Sequence, residues 1–149
     1  MIDSSDNPGV LTRKTGSPHR LSRTMEHTKR TMTTQEIAAR FDELAQREQW
    51  FEIQDELFAK NVRSIEPPGS PYYKDAEGKN AVRKKGEEFV SRVEAVHRTH
   101  TTRPVVGGDH FAVGRGVDIT VKGFGRIQID QIMLYEVKDG EIVVEQFFY

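Results

Sequence analysis

"HFAVGRGVDITVKGFGRIQIDQIMLYEVKDGEIVVEQFFY", residues 110–149, decides the fold. Phe111, Val113, Arg115, Val117, Ile119 and Val121 alternate with small and polar residues, the period-2 pattern of a strand with one face toward a core. "KGFG" (122–125) turns the chain into "RIQIDQIMLYEV" (126–137), and "KDG" (138–140) turns it again into "EIVVEQFFY" (141–149). Long strands joined by tight glycine turns make an antiparallel meander. Upstream, "HRTHTTRPVV" (97–106) supplies one more strand before the "GGD" turn at 107–109.

The preceding part has helical periodicity. "TTQEIAARFDELAQRE" (33–48) opens with Thr33 and Glu36 at capping-box spacing, and Ile37, Phe41 and Leu44 fall on one helical face. "QWFEIQDELFAKN" (49–61) repeats the pattern with Trp50, Ile53 and Leu57, predicting a second helix directly after the first. "VRSIE" (62–66) reads as a short strand cut by Pro67 and Pro68, and 68–78 as a loop. "KNAVRKKGEEFVSRVEAV" (79–96) predicts a third helix with Val82, Gly86, Phe89 and Val93 inside. Arg83, Lys84 and Lys85 are expected mainly on its solvated side. The order α-α-β-α-β-β-β-β is an α+β fold. Three helices pack on one face of a curved antiparallel sheet, a cone-shaped half-barrel with a hollow at its wide end.

Composition limits the partners. The chain has 149 residues, a net charge of −1 and no cysteine, so disulfides, thiol nucleophiles and thiolate metal sites are excluded. Neither a nucleic-acid nor a membrane partner is expected from a chain so nearly neutral. No apolar run approaches the length of a membrane span, and a cytoplasmic location is the expectation. Residues 1–31 carry six Lys/Arg against three Asp/Glu and few aliphatics, and read as a disordered basic tail or an upstream extension of the gene. Residues 32–149 read as the single folded domain. No phosphate-binding loop motif occurs, "HRTH" is not a metal spacing on a strand, and neither a cofactor nor a metal is expected.

"FAKNVRSIEPPGSP" (58–71), "GKNAV" opening the third helix and "YEVKDGEIVVEQFFY" (135–149) carry a resemblance. Together with the element order they resemble the nuclear transport factor 2-like, or cystatin-like, superfamily, and SnoaL-like domains in particular. The superfamily includes ketosteroid isomerases, polyketide cyclases and limonene epoxide hydrolases. The resemblance implies a pocket for a small apolar molecule and a homodimer formed through the sheet, while activity varies too widely across the fold to be inherited from it. "RIQIDQIMLYEV" is apolar on both faces in its middle, in keeping with a dimer.

The resemblance also implies roles. Ketosteroid isomerases place their proton-shuttling carboxylate at the end of the first strand, before a proline, where this chain has Glu66 and Pro67. A carboxylate at the mouth of an apolar cone is partly desolvated and suited to act as a base toward a carbon acid. The isomerases' oxyanion groups are not matched. The first helix offers Phe41 and no Tyr, and Gln131 stands at the place of the acid, which argues against steroid isomerisation. A cyclase-type pair would join Asp130 with His97, His100 or His110, and His97 is the histidine retained as a site residue. An epoxide-hydrolase set of Arg115, Asp130 and Asp118 is broken by strand parity. If Glu145, Phe147 and Tyr149 share the inner face of the last strand, Glu145 is a second acid in the lining. The expected catalytic set is Glu66, Gln131, Glu145 and His97, and the expected ligand-binding set is Trp50, Phe89, Met133, Phe147 and Tyr149. The alternative is a non-catalytic binding or accessory module.

Overall fold

The computed structural model describes residues 31–149. The expectation of a disordered tail therefore falls, Thr31 apart, outside the described residues. Three helices, α1 (Thr34–Gln46), α2 (Trp50–Leu57) and α3 (Lys79–Arg92), cover one face of a seven-stranded sheet. The strands are β1 (Phe58–Ile65), β2 (Ala76–Glu77), β3 (Val93–Thr101), β4 (Val105–Gly107), β5 (His110–Val121), β6 (Gly125–Lys138) and β7 (Glu141–Phe148). They lie in the order β2-β1-β7-β6-β5-β3, with β4 on β5. The architecture is the α+β cone, with two short strands beyond the expected set.

The meander β5–β6–β7 is antiparallel, as its glycine turns require. The turn into β7 puts Asp139 and Gly140 at φ 51° and 75°, the left-handed pair of a two-residue hairpin turn. The sheet is not antiparallel throughout, because β1 runs parallel to β7, with Ser64 beside Glu145 and Ile65 beside Gln146. This pairing covers what would otherwise be an open edge of β7.

Two helices end sooner than their periodicity predicts. Residues 58–61 belong to β1 and residues 93–96 to β3, with no loop at either junction. Neither junction has a Gly or Pro to mark it; Phe58 and Val93 take extended dihedrals directly at the helix C-cap. Pairing with β7 and β5 outweighs the local helical preference there.

Helix α1 begins with the capping box, the Glu36 N–H donating to Thr33 Oγ1 at 3.2 Å. Ile37, Phe41 and Leu44 are buried against Phe111, Val113, Met133 and Tyr135 of the sheet. Phe41 meets Phe111 edge-on at 5.2 Å between ring centroids and lies 4.7 Å from Tyr135. This aromatic cluster, with Ile53, Leu57 and Ile142, fills one end of the cone. The other end, under α3, is hollow.

Candidate functional site

The hollow is a cavity of about 520 Å³, within the ordinary range for small-molecule sites. Its walls are mainly apolar, with Trp50 and Phe51 of α2, Val82 and Phe89 of α3, and Met133 and Phe147 of the sheet. Gly86 of α3 lets the helix approach α2, since a Cβ there would stand 3.1 Å from Phe51 Cε1. Polar groups are few and converge in two places.

The first is the floor. The parallel register sets Ser64 beside Glu145, 81 residues away in sequence, and Ser64 Oγ donates to Glu145 Oε1 at 2.7 Å. Lys85 Nζ reaches in from α3, donating to Ser64 Oγ at 2.6 Å and to Glu66 Oε1 at 2.9 Å. Tyr149 donates its phenol proton to Glu66 Oε2 at 2.8 Å, so Ser70, 2.5 Å from that phenol oxygen, is the donor to it. The result is one continuous chain, Ser70–Tyr149–Glu66–Lys85–Ser64–Glu145. Glu66 and Glu145 are 7% and 6% exposed, and both find the partners that buried acids require.

The two acids differ in setting. Both oxygens of Glu66 are held, one by the Lys85 ammonium and the other by the Tyr149 hydroxyl. The Asp75 carboxylate accepts from the Glu66 N–H at 2.8 Å and ties down the loop that follows. Glu145 is deeper, and burial pushes its carboxyl up to about 7, against the opposing pull of the Ser64 hydrogen bond and the Lys85 charge and with help from Glu66. Burial, and then its hydrogen bond to Glu66, also holds the Tyr149 phenol above its ordinary value despite Ser70.

The second place is the wall beside the α1–α2 turn. Arg115 of β5 makes two bonds to Glu48, at 3.1 and 2.9 Å, and one to Thr101 Oγ1 at 3.0 Å. Its guanidinium lies 4.3 Å from the centroid of the Trp50 ring, and Trp50 Nε1 donates to Glu48 Oε2 at 2.7 Å. Burial raises the Glu48 carboxyl, but the Arg115 and Trp50 hydrogen bonds outweigh it and the net direction is down. Glu48 has φ 56°, an uncommon backbone for a residue with a side chain, and this cluster holds it there. Gln54, in the same wall, has its Oε1 buried with no hydrogen-bond partner among the described residues.

The expected site residues divide. Glu66, Gln131, Glu145, Trp50, Phe89, Met133 and Phe147 all line the cavity. Tyr149 is 37% exposed and touches the site through Glu66 rather than through the lining. His97 does not belong to it. Strand β3 has register shifts between Val93 and Ala95 and between Val96 and Arg98, so Val93, Val96 and Thr99 line the cavity and His97 projects from a bulge. Its Nε2 is 2.8 Å from Thr120 Oγ1 on the outer face. His100 and Asp130 line a shallow groove on that same outer face, and His110 pairs with its neighbour Asp109 at 2.7 Å. Among the described residues, therefore, no histidine joins an acid in the cavity.

Lys85 is the site residue that sequence reasoning missed, having been assigned to the solvated side of α3. Its side chain is only 16% exposed. The signal was the spacing: Val82, Lys85, Gly86 and Phe89 stand at i, i+3, i+4 and i+7, which places the lysine on the buried stripe. Among the described residues no cluster of three or more His, Asp or Glu is placed to hold a metal. No helix among them is long and apolar enough to cross a membrane.

Comparison with known proteins agrees with the fold. The SnoaL-like domain family matches residues 32–149. A SnoaL-like protein from Mesorhizobium loti, described as a candidate polyketide cyclase, shares 34% identity over 79% of this chain and all of its own, with a TM-score of 0.74. A Catenulispora acidiphila protein with a ketosteroid isomerase-like fold, solved with trimethylamine, is 19% identical over 78% of this chain and 87% of its own, at TM-score 0.59. A Xanthomonas campestris protein with a cystatin-like fold is 17% identical over 78% and 90%, at 0.62. The last two similarities concern the fold alone. Among curated proteins none matches the chain.

Proposed function

The chain belongs to the SnoaL-like family, and from that premise we propose that it is a cofactor-free enzyme that moves a proton on a small apolar carbonyl compound held in the cone. The family supports a small-molecule-binding fold; the floor supports the chemistry. The observation that carries the reading is the hydrogen-bonded chain from Glu66 through Lys85 and Ser64 to Glu145 at the base of an apolar cavity.

The roles follow from the environments. A general base works best with a pKa near the working pH, and Glu145 is the acid that burial brings there, to about 7. Glu66, expected as the base, is committed on both oxygens and serves instead to fix Lys85 and to balance its charge. Glu145 would take a proton from carbon next to a carbonyl and return it to another position. Apolar walls keep bulk water from competing for it.

The test is a thermal-shift screen of small apolar carbonyl compounds and steroids, followed by NMR of each binder in D2O. Binders are expected to exchange hydrogen for deuterium at the carbon next to the carbonyl. Glu145→Gln is expected to keep binding and lose exchange by about 100-fold or more, the scale of a lost general base. Binding without exchange in the wild-type protein would turn the reading into the non-catalytic one.

We further propose that the outer face of the sheet pairs with a second copy. Ile132 and Phe148 stand opposite each other there at 51% and 48% exposure.

A further inference from the structure

We propose that Lys85 is a catalytic residue whose free N–H binds the ligand's carbonyl oxygen and stabilises the enolate that forms when the neighbouring carbon loses its proton. The inference rests on the proton-transfer reading above and adds to it the group that selects the substrate: a flat, largely apolar molecule with one carbonyl oxygen beside an acidic C–H.

An ammonium has three donors. Two of those of Lys85 are spent, on Ser64 Oγ and on Glu66 Oε1. The third has no protein partner among the described residues, and Lys85 lines the cavity. Its nitrogen stands 5.5 Å from the centroid of Phe147 and 5.8 Å from that of Tyr73. A flat ligand in the cavity meets, among the described residues, the one cation of the floor, with these rings on either side of it. The two fixed bonds hold that cation in place before the ligand arrives, which is what electrostatic catalysis needs.

The charges balance. Before reaction the floor holds anionic Glu66, cationic Lys85 and anionic Glu145. The C–H bond breaks, its proton goes to a Glu145 oxygen, and the electron pair of that bond delocalises onto the carbonyl oxygen. One negative charge has moved from Glu145 to the ligand oxygen, and Lys85 is near both. No oxidant, reductant or second reactant enters. Arg115, the other cation of the cavity, is less available, because Glu48 and Thr101 hold it.

The probe is 2-naphthol, whose naphtholate has the shape and charge of such an enolate, with naphthalene as the match that lacks oxygen. Both are titrated into Glu145→Gln, whose neutral amide stands for the acid after it has taken the proton. 2-Naphthol is expected to bind at least about tenfold more tightly than naphthalene and to show the naphtholate absorption band at least one pH unit below its free ionisation. Adding Lys85→Met should erase both differences while leaving naphthalene affinity in place. Since Lys85→Met strands the buried Glu66, the same measurement is made with Glu66→Gln added, and circular dichroism checks each variant. If 2-naphthol binds as the neutral phenol, or keeps its advantage without Lys85, the assignment to Lys85 is wrong and the pocket reading survives. If neither compound binds, the pocket reading fails and takes the assignment with it.

Discussion

Glu145 shows how a single buried residue couples the site to stability. Its carboxyl ionises near 4.5 in an unfolded chain and is pushed up to about 7 when folded, burial being the leading cause. Between those values the native state holds a proton that the unfolded state has released, so stability falls as pH rises through that window and levels off above it. The full cost is on the order of 3 kcal/mol. Glu145→Gln keeps an acceptor for Ser64 and carries no charge. Its urea midpoint is expected to sit close to wild type at pH 4.5 and well above it at pH 8. An equal difference at both pH values would mean that Glu145 titrates alike in the folded and unfolded chain. At this scale the two acids were singled out through the resemblance to ketosteroid isomerases, Glu66 from its place before Pro67 and Glu145 from the alignment of the terminal hairpin, strand parity alone leaving Glu145 open to either face. Their roles were not, because they depend on Lys85 and Ser64, which come from a helix and a strand far away in the chain.

Among the elements, α3 and α2 set the width of the cavity, and Gly86 sets their separation. An alanine Cβ at that position meets the edge of the half-buried Phe51 ring at 3.1 Å. Alanine also removes the helix penalty of glycine, about 1 kcal/mol. These effects offset, and Gly86→Ala is expected to change the unfolding free energy by less than about 1 kcal/mol. Gly86→Val adds two methyls to a Cβ already tight against Phe51 and should cost about 1–3 kcal/mol through overpacking. Chemical denaturation of the two variants decides this; a valine tolerated as well as alanine would show that the two helices are free to part. The elements themselves were legible wherever periodicity was long, as in α1 and β5 to β7. Their ends were not legible at Leu57–Phe58 and Arg92–Val93, where strand pairing rather than a breaker residue stops the helix. The same blind spot hid the bulge that turns His97 outward. A sequence shows parity only for a strand that stays regular.

For the whole molecule, the outer sheet face remains to be accounted for. The topology sends the polar floor inward and leaves Ile132, Phe148, Leu134 and Ala112 adjacent on the other side by register, with Val105 of β4 next to Ala112. Val105 is 75% exposed. Charged residues stand around them, among them Asp130 on β6, Arg98 on β3, and the Asp118–Arg126 pair bonded at 2.8 Å. An apolar centre with a polar rim suits a two-fold interface, in which one patch meets its own copy. A stable pair buries roughly 800 Å² on each partner. Ile132→Lys and Phe148→Lys place charges at the centre of the patch, on side chains already half exposed. Each is therefore expected to leave the fold and the cavity's ligand affinity unchanged while converting a micromolar dimer into a monomer by sedimentation equilibrium. A wild-type monomer at those concentrations would remove the dimer and leave the cavity reading untouched, because every polar group of the floor comes from one chain.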